Sequence, residues 1–128
     1  MLVAHPRLTA AATRHGITLE VGAVKVVEPL GYVEMLQLVS RAKGVITDSG
    51  GLQKEAYLLG TPCTTVRSET EWPETLTGGM NVLNPELENL GELIARVAKL
   101  PDTQPFGDGH AAKRIVGVLS HATNRGHK

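Results

Sequence analysis

The residues Thr47-Asp48-Ser49-Gly50-Gly51-Leu52-Gln53-Lys54-Glu55-Ala56 follow directly on the apolar run Gly44-Val45-Ile46. This is the pattern of a strand that breaks into a helix through a glycine pair. The first turn of a helix leaves backbone N–H groups without partners and carries a partial positive charge, so main-chain donors there can hold a phosphate or diphosphate. Gly50 and Gly51 let a ligand approach the backbone closely, while Asp48 or Ser49 can cap the helix or offer a hydroxyl. Glu55 falls about one turn inside the helix, where a carboxylate suits paired sugar hydroxyls better than phosphate. A turn of this kind can also serve only as a cap. Position favours a ligand site, because Thr47-Asp48 reads as the carboxyl end of a parallel strand, the edge at which open α/β sheets bind ligands.

The elements that must position these residues alternate along the chain, as parallel βαβ units do. Leu2 to Ala4 reads as a first strand, and Pro6 opens a helix to about His15 that Gly16 closes. Val24 to Val27 forms a second strand. Pro29 and Gly31 turn the chain into a helix from about Tyr32 to Ala42, whose Met35, Leu36, Leu38, Val39 and Ala42 make the stripe that packs on a sheet. Val45 to Thr47 is the third strand, the motif helix runs to Leu59, and Gly60-Thr61-Pro62 leads into a fourth strand, Cys63 to Val66. Asn81 to Leu83 is a candidate fifth. Leu90, Leu93, Ile94 and Val97 predict an amphipathic helix over Glu88 to Leu100, stopped by Pro101. A last helix is expected from about His110 to His121, capped by Asp108. The fold class is α/β: a Rossmann-like parallel sheet flanked by helices.

Taken in order, His5-Pro6-Arg7, Glu28-Pro29-Leu30-Gly31-Tyr32, the run TDSGGLQKEAYLLGTPCTTVRSETEWPETLTGGMNVL from Thr47 to Leu83, and Gly107-Asp108-Gly109 resemble the carboxyl-terminal half of the non-hydrolysing UDP-N-acetylglucosamine 2-epimerases and their close nucleotide-sugar relatives. The resemblance covers nearly the whole chain at natural spacing. It implies part of the carboxyl-terminal domain of a GT-B-type two-domain fold, with residues 1–128 as a single, incomplete UDP-binding domain. In the family the ligand lies in the cleft between two domains. UDP is eliminated from the sugar to give a glycal and added back after the C2 proton has been exchanged on the other face. The resemblance assigns the holding of UDP to Ser49, Gly50, Gly51 and Glu55. It places the backbone of Leu30 and the side chain of Met35 beside the uracil, although Met35 also fits the core stripe of its helix. The carboxylates and histidine that move protons belong to motifs upstream of this sequence, so no catalytic residue is expected in it and no cofactor is implied: the chain reads as the UDP-holding half of an epimerase, inactive alone, with a UDP-sugar-binding module that works with a separately encoded half, or a remnant of a shortened gene, as the alternatives.

One position departs from the family pattern. Where many members carry an arginine that assists the diphosphate, this chain has Trp72. Either Arg67 or main-chain donors replace that charge, or diphosphate affinity is lower. Around it, Glu69, Glu71 and Glu74 read as a ligand-facing loop after the fourth strand rather than as acid/base groups.

The remaining composition limits the alternatives. With 13 basic and 13 acidic residues the formal net charge of the 128-residue chain is zero, and no aromatic-interleaved basic patch points to nucleic acid. No signal peptide or membrane span is read, and the single Cys63, set in a strand, reads as a buried thiol of a cytoplasmic protein rather than a nucleophile. His5, ending a strand before Pro6, is structural or lines the cleft. His15, His110, His121 and His127 show no metal spacing, and Arg125 and Lys128 read as part of a solvated basic tail. The expected partners are UDP or a UDP-N-acetylhexosamine, together with an amino-terminal half supplied in trans or a second copy of the chain. Self-association would run through Ile115, Val116, Val118 and Leu119 of the last helix.

Overall fold

The structure, a computed structural model, describes residues 1–124. Arg125, His127 and Lys128 of the basic tail lie outside the described residues. Five strands alternate with helices: β1 (Leu2–Val3), α1 (Pro6–Arg14), β2 (Val26–Val27), α2 (Tyr32–Arg41), β3 (Val45–Thr47), α3 (Gly50–Leu58), β4 (Cys63–Thr65), β5 (Asn81–Leu83), α4 (Leu90–Ala95) and α5 (Ala111–Asn124). A 3₁₀ segment, Pro73–Gly79, lies between β4 and β5. All strand pairs are parallel. They form a two-stranded sheet, β1-β2, and a three-stranded sheet, β3-β4-β5, in which Val45, Ile46 and Thr47 face Cys63, Thr64 and Thr65, and these face Asn81, Val82 and Leu83.

Local chemistry sets the helix ends. His5 Nδ1 accepts a hydrogen bond from the Arg7 N–H at 3.2 Å, so the histidine that precedes Pro6 is the cap of α1. Gly16, at φ 63°, takes the left-handed conformation that ends this helix. Glu34 Oε2 reaches back to the Gly31 N–H at 2.9 Å and closes the start of α2.

Val39, Ala56 and Cys63 form the apolar core between α2, α3 and β4, with Met35, Val45 and Leu52 packed against them. The second part of the interior is polar. Thr65 Oγ1 donates to Asn81 Oδ1 at 2.7 Å, and Asn81 Nδ2 donates to Gln53 Oε1 at 3.2 Å and to Thr75 Oγ1 at 3.0 Å. Gln53, Thr65 and Thr75 are fully buried. The network ties α3 to β4, β5 and the 3₁₀ segment through the Gln53 carbonyl oxygen, while Gln53 Nε2 stays buried without a partner.

The helix expected over Glu88 to Leu100 is a correction: it spans only Leu90–Ala95. Arg96 turns extended, at φ −61° and ψ 144°. Its guanidinium then donates to the carbonyls of Leu93, Gly79, Met80 and Cys63 and to Thr64 Oγ1, bonds that a continued helix would forgo. The Lys99 N–H bonds to the Gly78 carbonyl at 3.3 Å, and Gly78, at φ 70°, leaves no room for a Cβ beside the Lys99 carbonyl oxygen. The stripe read from Leu90, Leu93, Ile94 and Val97 therefore breaks, and Val97 is exposed. At the second strand Val24 and Lys25 stay outside β2. No helix among the described residues is long and apolar enough to cross a membrane.

Candidate functional site

The start of α3 stands at the carboxyl end of β3, as the sequence pattern requires. Ser49 is its N-cap residue by backbone conformation, yet its side chain makes no capping hydrogen bond. The capping role expected of Asp48 or Ser49 is thus not filled by either, and Thr47 Oγ1 instead accepts from the Ser49 N–H at 3.0 Å. This geometry leaves the exposed Ser49 hydroxyl beside the unbonded N–H groups of the first helical turn. Gly50 is half-buried and Gly51 exposed, and nothing lies within 4 Å of the position a Cβ on Gly51 would take. Glu55 is half-buried one turn further along.

The loop after β4 closes over this helix start. A Cβ on Gly50 would sit 3.2 Å from Glu71 Oε2 and 3.9 Å from Trp72 Nε1. Glu71 in turn pairs with Arg67, whose Nη1 lies 2.8 Å from Oε1 and 3.0 Å from Oε2. Its own backbone N–H and then the Arg67 guanidinium hold the Glu71 carboxyl below the usual carboxylate range. Two cations therefore border the helix start: Arg67, held through Glu71, and Lys54, whose Nζ lies 4.4 Å from the centre of the Trp72 ring and 4.7 Å from that of Phe106. Phe106 packs edge-on against both Trp72 and Tyr57. The loop is fixed from below as well. Thr70 Oγ1 donates to Gln53 Oε1 at 2.6 Å and accepts from the Trp72 N–H, and Thr75 Oγ1 donates to the Trp72 carbonyl.

Sequence reasoning named Ser49, Gly50, Gly51 and Glu55, and the structure gathers them on one helix end. Leu30 and Met35 lie at the entrance to and in the first turn of α2, and both are half-buried. Met35 packs on the Val39-Ala56-Cys63 cluster. Lys54, Gln53, Thr70 and Phe106 were not singled out beforehand. The signal for Gln53 was its place two residues after the glycine pair on the helix face turned inward, while Phe106 comes from a remote loop that no spacing rule connects to α3. Burial pushes the Cys63 thiol up, and the thiol is 1% exposed, so it takes no part in the site. Among the described residues no three His, Cys, Asp or Glu side chains gather as a metal site.

Comparison with known proteins places this arrangement. The family model described as UDP-N-acetylglucosamine 2-epimerase matches residues 1–120. The chain is 41% identical over 124 residues to a UDP-2,3-diacetamido-2,3-dideoxy-D-glucuronate 2-epimerase of Pseudomonas aeruginosa, covering 94% of this chain and 34% of that protein. It is 41% identical over 103 residues to a UDP-N-acetylglucosamine 2-epimerase of Methanocaldococcus jannaschii, covering 77% of this chain and 28% of the relative. The crystal structure of the Methanocaldococcus jannaschii UDP-GlcNAc 2-epimerase in complex with UDP-GlcNAc and UDP superposes with a TM-score of 0.79 at 36% identity, over 93% of this chain and 34% of that one. A Neisseria meningitidis UDP-GlcNAc 2-epimerase bound to UDP-GlcNAc superposes with a TM-score of 0.62 at 27% identity. The chain thus spans about a third of the length of the relatives it matches. With its α/β order, its parallel strands and a glycine-opened helix at a strand's carboxyl end, the chain belongs to the UDP-N-acetylglucosamine 2-epimerase family.

Proposed function

We propose that this chain is the UDP-holding part of a nucleotide-sugar 2-epimerase and does not turn over substrate by itself. Residues 1–128 act as one incomplete domain. The observation that carries the reading is the start of α3, where the Ser49 hydroxyl is unused by the helix and where Arg67, paired with Glu71, and Lys54 border the first turn under the loop after β4. The diphosphate of UDP, or of a UDP-N-acetylhexosamine, sits on the N–H groups of the first helical turn and the Ser49 hydroxyl. Glu55 receives the ribose hydroxyls. The Leu30 backbone and the face of Met35 that the core leaves open flank the uracil. The acid/base groups come from an amino-terminal half in trans. A reducing, cytosolic setting suits the unpaired, buried Cys63.

Calorimetric titration of the purified chain with UDP tests this reading. Saturable binding is expected, weakened about tenfold by Ser49→Ala and by about ten- to a hundredfold by Glu55→Ala, the range for losing a neutral and a charged hydrogen bond. A folded chain that binds no UDP, or variants that bind as well as the parent, would sink it. A coupled assay showing epimerisation by the chain alone would overturn the second half of the proposal.

A further inference from the structure

Helix α3 draws no anion from its own first turn. That turn carries no acidic residue, and the Ser49 side chain makes no capping bond. The positive end of a helix attracts a carboxylate or a phosphate, and here a carboxylate reaches it from the loop after β4. Glu71 puts Oε2 at 3.2 Å, and its carboxyl carbon at 3.8 Å, from the point that a Cβ on Gly50 would occupy. Both carboxylate oxygens are held there by Arg67 Nη1, at 2.8 and 3.0 Å. One side chain therefore does two things. It sets negative charge against the helix start, and it occupies a guanidinium suited to binding a phosphate.

The loop that carries Glu71 is anchored, whereas the carboxylate is free to leave. On one side Thr70 Oγ1 donates to the buried Gln53 Oε1; on the other the Trp72 N–H donates to Thr70 Oγ1 and the Trp72 carbonyl accepts from Thr75 Oγ1. Between these anchors the Glu71 side chain is 55% exposed and that of Arg67 33%. Turning the carboxylate out into solvent breaks an ion pair of the exposed kind, which contributes little to stability, and requires no movement of the backbone. A diphosphate has the means to force that turn. It carries more than one negative charge, and its oxygens match the fork of a guanidinium, which grips them with two parallel bonds. A ligand bearing a single carboxylate has no such advantage over Glu71.

We propose that Glu71 is a specificity-determining residue of this site: a resident anion that takes the start of α3 and Arg67 for itself and gives both up only to a ligand of greater negative charge. Arg67 then passes from Glu71 to the diphosphate. The side chain acts as a threshold, so that phosphorylated ligands enter and weakly charged ones are turned away. This rests on the reading of the start of α3 as the diphosphate site.

Calorimetric titrations of the purified 128-residue chain and of its Glu71→Gln variant, with UDP and with uridine as the uncharged probe, test the proposal. Glutamine keeps the length of the side chain and removes its charge. Glu71→Gln is expected to tighten UDP about tenfold, as one charge-assisted bond gained from Arg67 would give, and to leave uridine unchanged. Adding Arg67→Met to Glu71→Gln should remove most of that gain. UDP binding that is unchanged or weaker in Glu71→Gln would overturn the proposal. An equal gain for uridine would do the same by making the effect one of a loosened loop, as would a gain that survives Arg67→Met. A parent chain that binds UDP with no gain in Glu71→Gln removes this proposal alone. A parent chain that binds none while Glu71→Gln binds UDP supports the proposal and removes only the reading that the parent holds UDP, and no binding by either removes both.

Discussion

The ammonium of Lys54 sits 4.4 Å from the centre of the Trp72 ring, one turn inside the helix whose first residue, Gly50, Trp72 itself borders. An aromatic face attracts such a cation with about 0.5–2 kcal/mol, so Trp72 holds a neighbour's positive charge in place beside the start of α3.

An arginine at position 72 separates the packing of the ring from the supply of charge. Trp72→Arg is expected to tighten UDP binding roughly tenfold, about one charge-assisted hydrogen bond, because the guanidinium would stand beside the start of α3. The same change gives up the ring contacts with Lys54 and Phe106 and lowers stability by about 1–2 kcal/mol. Calorimetry with UDP and urea denaturation read the two effects separately. Weaker UDP binding by a folded Trp72→Arg chain would show that Lys54 and Arg67 already meet the charge requirement.

Gln53 is the second target, because its buried Oε1 receives both Thr70 and Asn81. Gln53→Ala leaves the Thr70 hydroxyl without its acceptor and Asn81 Nδ2 with Thr75 alone, and opens space, so a loss of about 2–4 kcal/mol is expected. The urea midpoint measures it. A midpoint unchanged within error would mean that the polar interior contributes little.

The fold was legible where local chemistry decides it. Val45–Thr47 and Asn81–Leu83 were bounded correctly because turn residues punctuate both runs, and the start of α3 follows from Ser49-Gly50-Gly51. What escaped depends on contacts distant in sequence. Nothing near Arg96 announces that its guanidinium will leave the helix for carbonyls at Cys63 and Met80, so the apolar period over Leu90 to Val97 promised a longer helix than forms. The aromatic and cationic cover of the site was illegible for the same reason, since Phe106 meets Tyr57 only in three dimensions. Thr64, Thr65 and Asn81 read as ordinary strand residues, and their buried network shows only after β4 and β5 are paired.

Cys63 gives a pH prediction. Burial raises its thiol above the ordinary value, so between the two values the folded chain holds a proton that the unfolded chain releases. By linkage, stability then falls as pH climbs past about 8.5, the ordinary thiol value, while below it the contribution is fully present. Cys63→Ala should flatten the alkaline limb of a plot of unfolding free energy against pH. In the same frame, a thiol reagent at neutral pH should modify the parent chain only after denaturant is added; rapid labelling of the native chain would contradict the burial.

Ile115, Val116 and Val118 of α5 are 58%, 62% and 70% exposed. An apolar helix face of this kind favours association, so light scattering of the parent chain should report mass above the monomer at high concentration. Val116→Lys with Val118→Lys should return it to a monomer. A parent chain that stays monomeric throughout would leave α5 merely an exposed helix.

Arg96 has a consequence for how the sheet divides its labour. Its guanidinium is spent on carbonyls of Cys63, Gly79 and Met80, at the end where β4 and β5 begin, whereas the start of α3 lies at the opposite end, where β3 finishes. The sheet is polarised: at one pole the Arg96 guanidinium occupies the backbone carbonyls, and at the other lie the N–H groups of the first turn of α3 that have no helical partner. A ligand held at the start of α3, as proposed, would come and go without loosening the end that keeps the strands in register.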